Sequence, residues 1–298
     1  MNAIELNNVN KSFGDFAISD LTFSLPEGTI CGLAGENGAG KSTTLRLLMG
    51  ALRPDSGEIR VLGKSPADPS FASVKAQIGV VLEDTFFPAC LDAVVMGKVL
   101  SKTYPTWDQA YYEELIRRFD LPEKKTFKDY SRGMRMKLGV AAALSHHPRL
   151  LVLDEPVSAL DVSVQSQVLN LLLTLQQELN LAYLFISHDL SVVRHISDRV
   201  AVMYMGKIVE MADADRLYDH PCHAYTRALL SAIPIPDPEV EEKKERIKLD
   251  GELPSPIDPP AGCRFKGRCK HATEICGRER PELREIETGH YVACHMVK

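Results

Sequence analysis

The chain has 298 residues, 45% of them hydrophobic and 25% charged, with a formal net charge of −5. That balance is ordinary for a folded protein and leaves room for one large α/β domain plus a small appendage. It provides no clustered basic surface of the kind a nucleic-acid partner needs, so no nucleic-acid partner is expected. The apolar runs, such as 181–186, are far short of the roughly 20 residues of a membrane helix, so a membrane role would have to be borrowed from partners. Residues 1–10 alternate like a strand, with Glu5, Asn7 and Asn8 among them, and do not read as a leader. The expected location is the cytoplasm.

Residues 1–30 read as short alternating strands, with turns at Asn7-Asn8, Phe13-Gly14-Asp15 and Pro26-Glu27-Gly28. A brief apolar strand over 29–34 precedes a glycine-rich stretch, and 41–49 continues as a helix closed by Gly50. The turn Pro54-Asp55-Ser56-Gly57 leads into a strand at 58–62. Residues 84–148 are predicted mainly helical, with apolar residues at helical spacing in 111–119 and 134–144. The four apolar residues 150–153 predict a buried strand ending at two carboxylates. Val164, Val168, Leu172, Leu175 and Leu179 mark the inner face of an amphipathic helix, and strands follow at 181–186 and 199–205. Strands alternating with helices predict a largely parallel sheet. After Ala232 the texture changes: Pro234, Pro236, Pro238 and the charged run 239–246 form a linker, and a second proline cluster at 254–260 leads into a cysteine-rich end.

Residues 35–42, GENGAGKS, match GxxxxGK[ST] between a predicted strand and a predicted helix. Gly35, Gly38 and Gly40 let the backbone curl so that successive N–H groups, with Glu36, Asn37 and Ala39 between them, face a phosphate. The helix dipole also favours an anion there. Lys41 would reach the β- and γ-phosphates and the Ser42 hydroxyl would ligate Mg²⁺, with Thr43 beside it. The second half of such a site is the strand ending in Asp154 and Glu155. Asp154 would hold Mg²⁺ through water, and Glu155 would orient and deprotonate the attacking water. A strand ending in Asp-Glu is a weak signal alone and a strong one paired with the phosphate loop.

With these two motifs, residues 1–228 resemble an ATP-binding-cassette (ABC) ATPase. Ser131-Arg132-Gly133-Met134-Arg135 resembles the signature motif, which in that family touches the γ-phosphate bound on the opposite subunit. Residues 158–161 with Asp161 resemble the D-loop, His188 the switch histidine, and Phe13 the aromatic that stacks on adenine. Taken singly, His188 would be a hydrogen-bonded structural histidine, Phe13 core, and Ser131 and Gly133 a helix cap and a tight turn. The chain departs from the pattern at Tyr130, Arg132 and Met134, and at Glu83, where the family has a glutamine; a carboxylate there could still help ligate Mg²⁺. The resemblance implies a P-loop fold: an antiparallel β subdomain, a mainly parallel core sheet and a helical subdomain at about 84–148. A linker at 229–258 and a Cys-rich extension at 259–298 complete it.

Four of the seven cysteines, Cys263, Cys269, Cys276 and Cys294, fall in the last 36 residues. In a reducing compartment they argue for metal or plain thiols, and the spacing alone does not separate iron–sulfur from zinc. His271, His290 and His295 could replace a ligand but read as solvated. The stretch after Pro260 has few large apolar residues and would scarcely fold on its own core.

Residues 1–156 resemble exporter-type ABC ATPases. From Val157 onward, through 157–168, 186–210, 220–238 and 251–263, the chain resembles oligopeptide/dipeptide permease ATPases, whose C-terminal module is linked to a [4Fe-4S] cluster. The resemblance therefore implies an ATP- and Mg²⁺-dependent ATPase at the cytoplasmic face of the membrane, powering peptide import, with export the alternative. Its implied partners are integral-membrane permease subunits, a second copy or a paralogous ATPase, and indirectly a substrate-binding protein. A soluble ABC ATPase outside transport is weakened by the single P-loop and the lack of heptads, and a module without turnover by the intact Glu155 and His188.

Overall fold

The computed structural model describes residues 1–14, 16–83, 87–234, 246–249 and 261–297. In chain order, the first strands are β1 (Asn2–Phe13), β2 (Phe16–Pro26) and β3 (Ile30–Ala34), followed by α1 (Lys41–Leu48) and β4 (Ser56–Val61). Then come α2 (Phe71–Lys75), β5 (Ile78–Val81), α3 (Ala93–Leu100), α4 (Gln109–Arg118) and α5 (Arg132–Leu144). The strand β6 (Leu150–Asp154), helix α6 (Val162–Leu179), strand β7 (Ala182–Ser187) and helix α7 (Leu190–Ile196) follow. The last elements are β8 (Arg199–Tyr204), β9 (Lys207–Asp213), α8 (Ala214–Asp219), α9 (Ala224–Ser231), α10 (Ile275–Arg278), β10 (Arg284–Glu287) and β11 (His290–Val292). They divide into two compact units, one of Met1–Glu5, Ser24–Ile30 and Arg60–Ile186, the other of Leu6–Phe23, Cys31–Ile59 and Ser187–Lys298. The long strands β1, β2 and β4 form a three-stranded sheet in the order β2-β1-β4.

In the first unit β5, β6 and β7 run parallel, with Leu150 opposite both Ile78 and Ala182, and Leu153 opposite both Val81 and Phe185. Leu150, Leu151, Val152 and Leu153 are all within 1% of full burial, because helices cover both faces of a parallel sheet and leave no position for a polar residue. The helices start where the sequence supplies an acceptor. Asp92, Asp108, Ser131 and Asp161 cap α3, α4, α5 and α6, each side chain accepting from the amide three residues on. The inner face of α6 is narrower than its apolar spacing predicts: Val168, Leu169, Leu172 and Leu175 are buried, Val164 only partly, and Leu179 is exposed. Leu179 is the last helical residue, before Asn180 leaves the helix in a left-handed conformation.

In the second unit β3 runs parallel to β8, with Cys31 opposite Arg199 and Ala34 opposite Val202. From there the order continues β8-β9-β11-β10, all antiparallel. The turn between β8 and β9 is two residues, Met205 and Gly206, both at positive φ, which matches the twist of the flanking strands. The cysteine-rich end is therefore no detached appendage: its hairpin β10–β11 extends the edge of the sheet, with Val292 opposite Glu210 and Tyr291 opposite Met211. Phe265 supplies the large apolar anchor, 2% exposed and packed against Tyr204, Tyr225 and His223. Arg264 reinforces it, donating to Ala17 O and Met205 O and to Ser19 Oγ; burial lowers its pKa to about 10. Linker residues 235–245 and 250–260 and the segment 84–86 lie outside the described residues.

Candidate nucleotide-binding and catalytic site

The phosphate loop lies wholly in the second unit, between β3 and α1. A Cβ on Gly35 would stand 2.3 Å from Met203 O, so only glycine lets the loop leave β3 against β8. Gly40 occupies the N-cap position of α1 at φ 112, and no side chain caps the first turn. A helix start with a glycine cap and no capping carboxylate keeps its dipole and amides for an anion. Lys41 is only 6% exposed, and its ammonium donates to Gly35 O at 2.7 Å and to Glu36 O at 3.4 Å, across the concave side of the loop. Ser42, Asn37 and Gly38 are exposed, Thr43 is half-buried and Ala39 is buried. Phe13, at the end of β1 in the same unit, is 37% exposed, with the Lys11 ammonium 5.6 Å from its ring. Cys31, in β3, is buried, and burial pushes its thiol pKa up to about 12. His188 follows β7 and is exposed.

The carboxylate half lies in the first unit. β6 ends in Asp154, and Glu155 follows at φ 50, a conformation that L side chains adopt at a cost and that clusters at functional sites. The Glu155 amide donates to Ile186 O at 2.9 Å, which fixes this turn to β7. Glu155 lines a cavity of about 610 Å³ together with Glu83, Lys128, Arg132, Arg135 and Ser158. Glu83 is not isolated there: its carboxylate accepts from the Ser158 hydroxyl at 2.9 Å, and the same hydroxyl lies 3.1 Å from Glu155 O. Nothing local to Ser158 points to this bridge, since the two residues are 75 positions apart.

Ser131 caps α5, its Oγ accepting from Met134 N at 3.3 Å. Gly133 is buried against α6, where a Cβ would stand 2.5 Å from Val164 Cγ1. Arg132 donates to Ala159 O at 3.4 Å, and Asp161 caps α6 by accepting from Val164 N at 3.0 Å. The segments at 131–133 and 158–161 are thus packed together as one edge of this unit. Tyr130, the departure before Ser131, is buried and donates to Pro122 O, so its ring and hydroxyl hold the segment entering α5.

Cys263, Cys269, Cys276 and Cys294 line one small cavity beside Phe265. Burial raises the Cys263 and Cys269 thiols, and the neighbouring cysteines add to the rise. Burial also pushes Cys276 up, but hydrogen bonds with Thr273 and the Lys266 charge outweigh it, so its pKa is lowered. The expectation of solvated histidines fails at His290, which is 1% exposed. Its Nδ1 accepts from Arg216 Nε at 3.3 Å, so Nε2 carries the proton and donates to Glu210 Oε1 at 2.8 Å. Glu210 also accepts from the amides of Cys222 and His223. Among the described residues, Glu210, Cys222 and His290 are the three metal-capable side chains whose ligand atoms lie within 4.8 Å of one another. The protonated Nε2 makes them a hydrogen-bonded clasp between β9 and β11. His271 is exposed, and His295 Nε2 lies 3.1 Å from Glu279 O.

Comparison with known proteins agrees with this geometry. The ABC transporter family model matches residues 18–158, and the model for the C-terminal region of oligopeptide/dipeptide transporters matches 209–276. The chain is 42% identical to the oligopeptide transport ATP-binding protein AppF of Bacillus subtilis, over 98% of this chain and 97% of that protein. It is 40% identical to the oligopeptide transport ATP-binding protein OppF of Escherichia coli, over 93% of this chain and 87% of that one. These alignments run through the first 156 residues as well, so the likeness to peptide-transport ATPases is not confined to the second half. Among solved structures, cbiO1 of Clostridium perfringens, part of an ABC transporter complex, superposes with a TM-score of 0.64 at 22% identity, covering 74% of this chain and 91% of that one, which supports the fold. A phosphate loop at the start of α1, a strand ending in Asp154-Glu155, and near full-length identity of about two residues in five leave one conclusion: the chain belongs to the ATP-binding subunits of ABC transporters and is an ATPase.

Proposed function

We propose that this chain powers oligopeptide import, hydrolysing ATP on the cytoplasmic face of a membrane whose permease subunits other chains supply. What carries the reading is the second family match, at 209–276, which takes in most of β9, all of α8 and α9, and three of the four clustered cysteines. No helix among the described residues is long and apolar enough to cross a membrane. The translocation path then belongs to partners. A substrate-binding protein would act on the far side. The export alternative rests on the resemblance of residues 1–156 alone, and the near full-length relatives are oligopeptide transport ATP-binding proteins.

In this reading the amides at the start of α1 and the Lys41 ammonium bind the β- and γ-phosphates, and Phe13 stacks on the adenine. Ser42 in the second unit, and Asp154 and Glu83 in the first, each offer hard oxygen donors of the kind Mg²⁺ prefers, and bound Mg²⁺ would neutralise phosphate charge. Glu155 orients a water and accepts its proton as the water oxygen attacks the γ-phosphorus. The bond to the bridging oxygen breaks and ADP leaves. Asp161, Ser131, Arg132 and Gly133 serve the nucleotide of a second subunit, and His188 senses its own γ-phosphate. Glu155→Gln should keep ATP binding and lose turnover, since an amide holds water but accepts no proton. Lys41→Ala should lose binding itself. Normal phosphate release by the Glu155 variant would overturn the assignment. The same variant, in vesicles with its permease subunits, should stop peptide uptake.

The four cysteines fit a [4Fe-4S] cluster by donor chemistry: four thiols facing one cavity, with burial resisting the thiolate form at Cys263 and Cys269 unless a cation compensates. No three of them bring their sulfurs within 4.8 Å of one another, whereas one tetrahedral zinc would hold thiolates about 3.8 Å apart. Anaerobically purified protein should be brown, with iron and acid-labile sulfide in near-equal amounts, and Cys276→Ser should lose both. Colourless protein with stoichiometric zinc would refute the cluster.

A further inference from the structure

Glu36, the second residue of the phosphate loop, is held twice from the last quarter of the chain. Its amide donates to the Tyr225 hydroxyl at 3.2 Å, and its carboxylate lies 3.6 Å from Arg268 Nη1. Its carbonyl in turn accepts from the Lys41 ammonium and from the Ala39 amide. The peptide that helps position Lys41 is therefore anchored from outside the loop. Tyr225 is fully buried, its ring against Tyr204 and Phe265, on a helix whose N-cap, His223, is itself bound through its amide by Glu210. Arg268 immediately precedes Cys269. Its side chain is only 12% exposed, and its Nε and Nη1 make no hydrogen bond. A guanidinium with two buried unsatisfied donors is costly to keep, and Glu36 supplies the opposite charge that it faces.

We propose that Tyr225 and Arg268 are positioning residues of the phosphate loop, through which the folded state of the cysteine module sets nucleotide affinity. The proposal rests on residues 35–42 being the phosphate loop. The Glu36 carboxylate is 36% exposed, so solvent screens the pair and the expected effect is a moderate change in affinity.

The test uses the full chain and MgATP, with equilibrium dissociation constants beside turnover at saturating ATP. Arg268→Ala and Glu36→Gln should each raise the ATP Kd roughly three- to fivefold, and in Arg268→Ala kcat should change less than twofold. The double variant should be no worse than the weaker-binding single, because both remove one interaction. Arg268→Lys should recover most of the affinity, since a charge at 3.6 Å needs no fork. Cys269→Ser should raise Kd in the parent and add nothing in Glu36→Gln. Additive effects, or an Arg268→Ala protein that loses thermal stability with its ATP Kd unchanged, would overturn the proposal. Glu36→Gln sits on an accessible loop, so it reads the coupling even if Arg268→Ala fails to fold. Unaltered binding by Lys41→Ala would instead sink the phosphate-loop reading beneath it.

Discussion

Phe265→Ala removes the one large ring that the cysteine-rich end contributes to the core of its unit. The side chain is 2% exposed, with ring centroids 5.3 Å from Tyr204, 5.6 Å from Tyr225 and 5.5 Å from His223. Truncating a buried phenylalanine costs about 3–5 kcal/mol, transfer and cavity together. The hairpin is a short edge addition to β9, held by the pairs Tyr291–Met211 and Val292–Glu210, the Ala293 amide on Val209 O and the His290–Glu210 bond, so the loss should fall on local opening of β11 rather than on the whole chain. Taking about 3 kcal/mol, amide exchange at Tyr291 and Val292 should accelerate about 150-fold, while Leu151 and Val152 in β6 keep their protection. Hydrogen exchange resolved by residue measures both sets in one experiment. Phe265→Leu conserves most of the volume and should stay within about tenfold of the parent. If exchange in β11 changes less than threefold in the alanine variant, Phe265 does not anchor the segment. If β6 accelerates equally, the loss is global and the local argument is wrong.

Gly133→Val should force the start of α5 away from Val164, since the first added carbon would already stand 2.5 Å from Cγ1, at a cost of about 1–3 kcal/mol. ATP-dependent association on a sizing column should disappear while the isolated chain still binds ATP; an intact ATP-dependent dimer would argue against a role for this edge in the pairing. Stability should also fall in acid through His223, whose pKa burial lowers from 6.5 to about 4. The unfolded chain takes up the proton near 6.5 and the folded one only near 4. The contribution is therefore complete above 6.5 and drains as pH falls to about 4, by about 3 kcal/mol in all. His223→Asn keeps an acceptor for the Tyr225 amide without that titration, so a denaturation series from pH 7 to 4.5 should be flatter for it. An unchanged slope would remove His223 as the cause.

The sequence alone was enough to mark the contiguous local elements: the glycine-rich turn at 35–42 between strand and helix, the buried strand ending at Asp154-Glu155, and the helix cap at Ser131. Each is local, because a phosphate loop is one strand–turn–helix and a cap acts within one helical turn, so residue type and spacing carry the information. Elements set by periodicity were legible to within a residue or two, as at β6 and α5. Periodicity overstated the buried face of α6, where the helix end at Asn180 leaves Leu179 in solvent. What only the tertiary structure decided lies between residues far apart in the chain. Ser158 bridges to Glu83, His290 is buried between Arg216 and Glu210, and Tyr225 and Arg268 reach Glu36 across 189 and 232 positions. The cysteine-rich end looked unable to fold because its own apolar residues are few. It folds by adding β11 to an existing sheet edge and Phe265 to an existing aromatic cluster. Both partners come from other elements of its unit, and a one-dimensional pattern has no term for them.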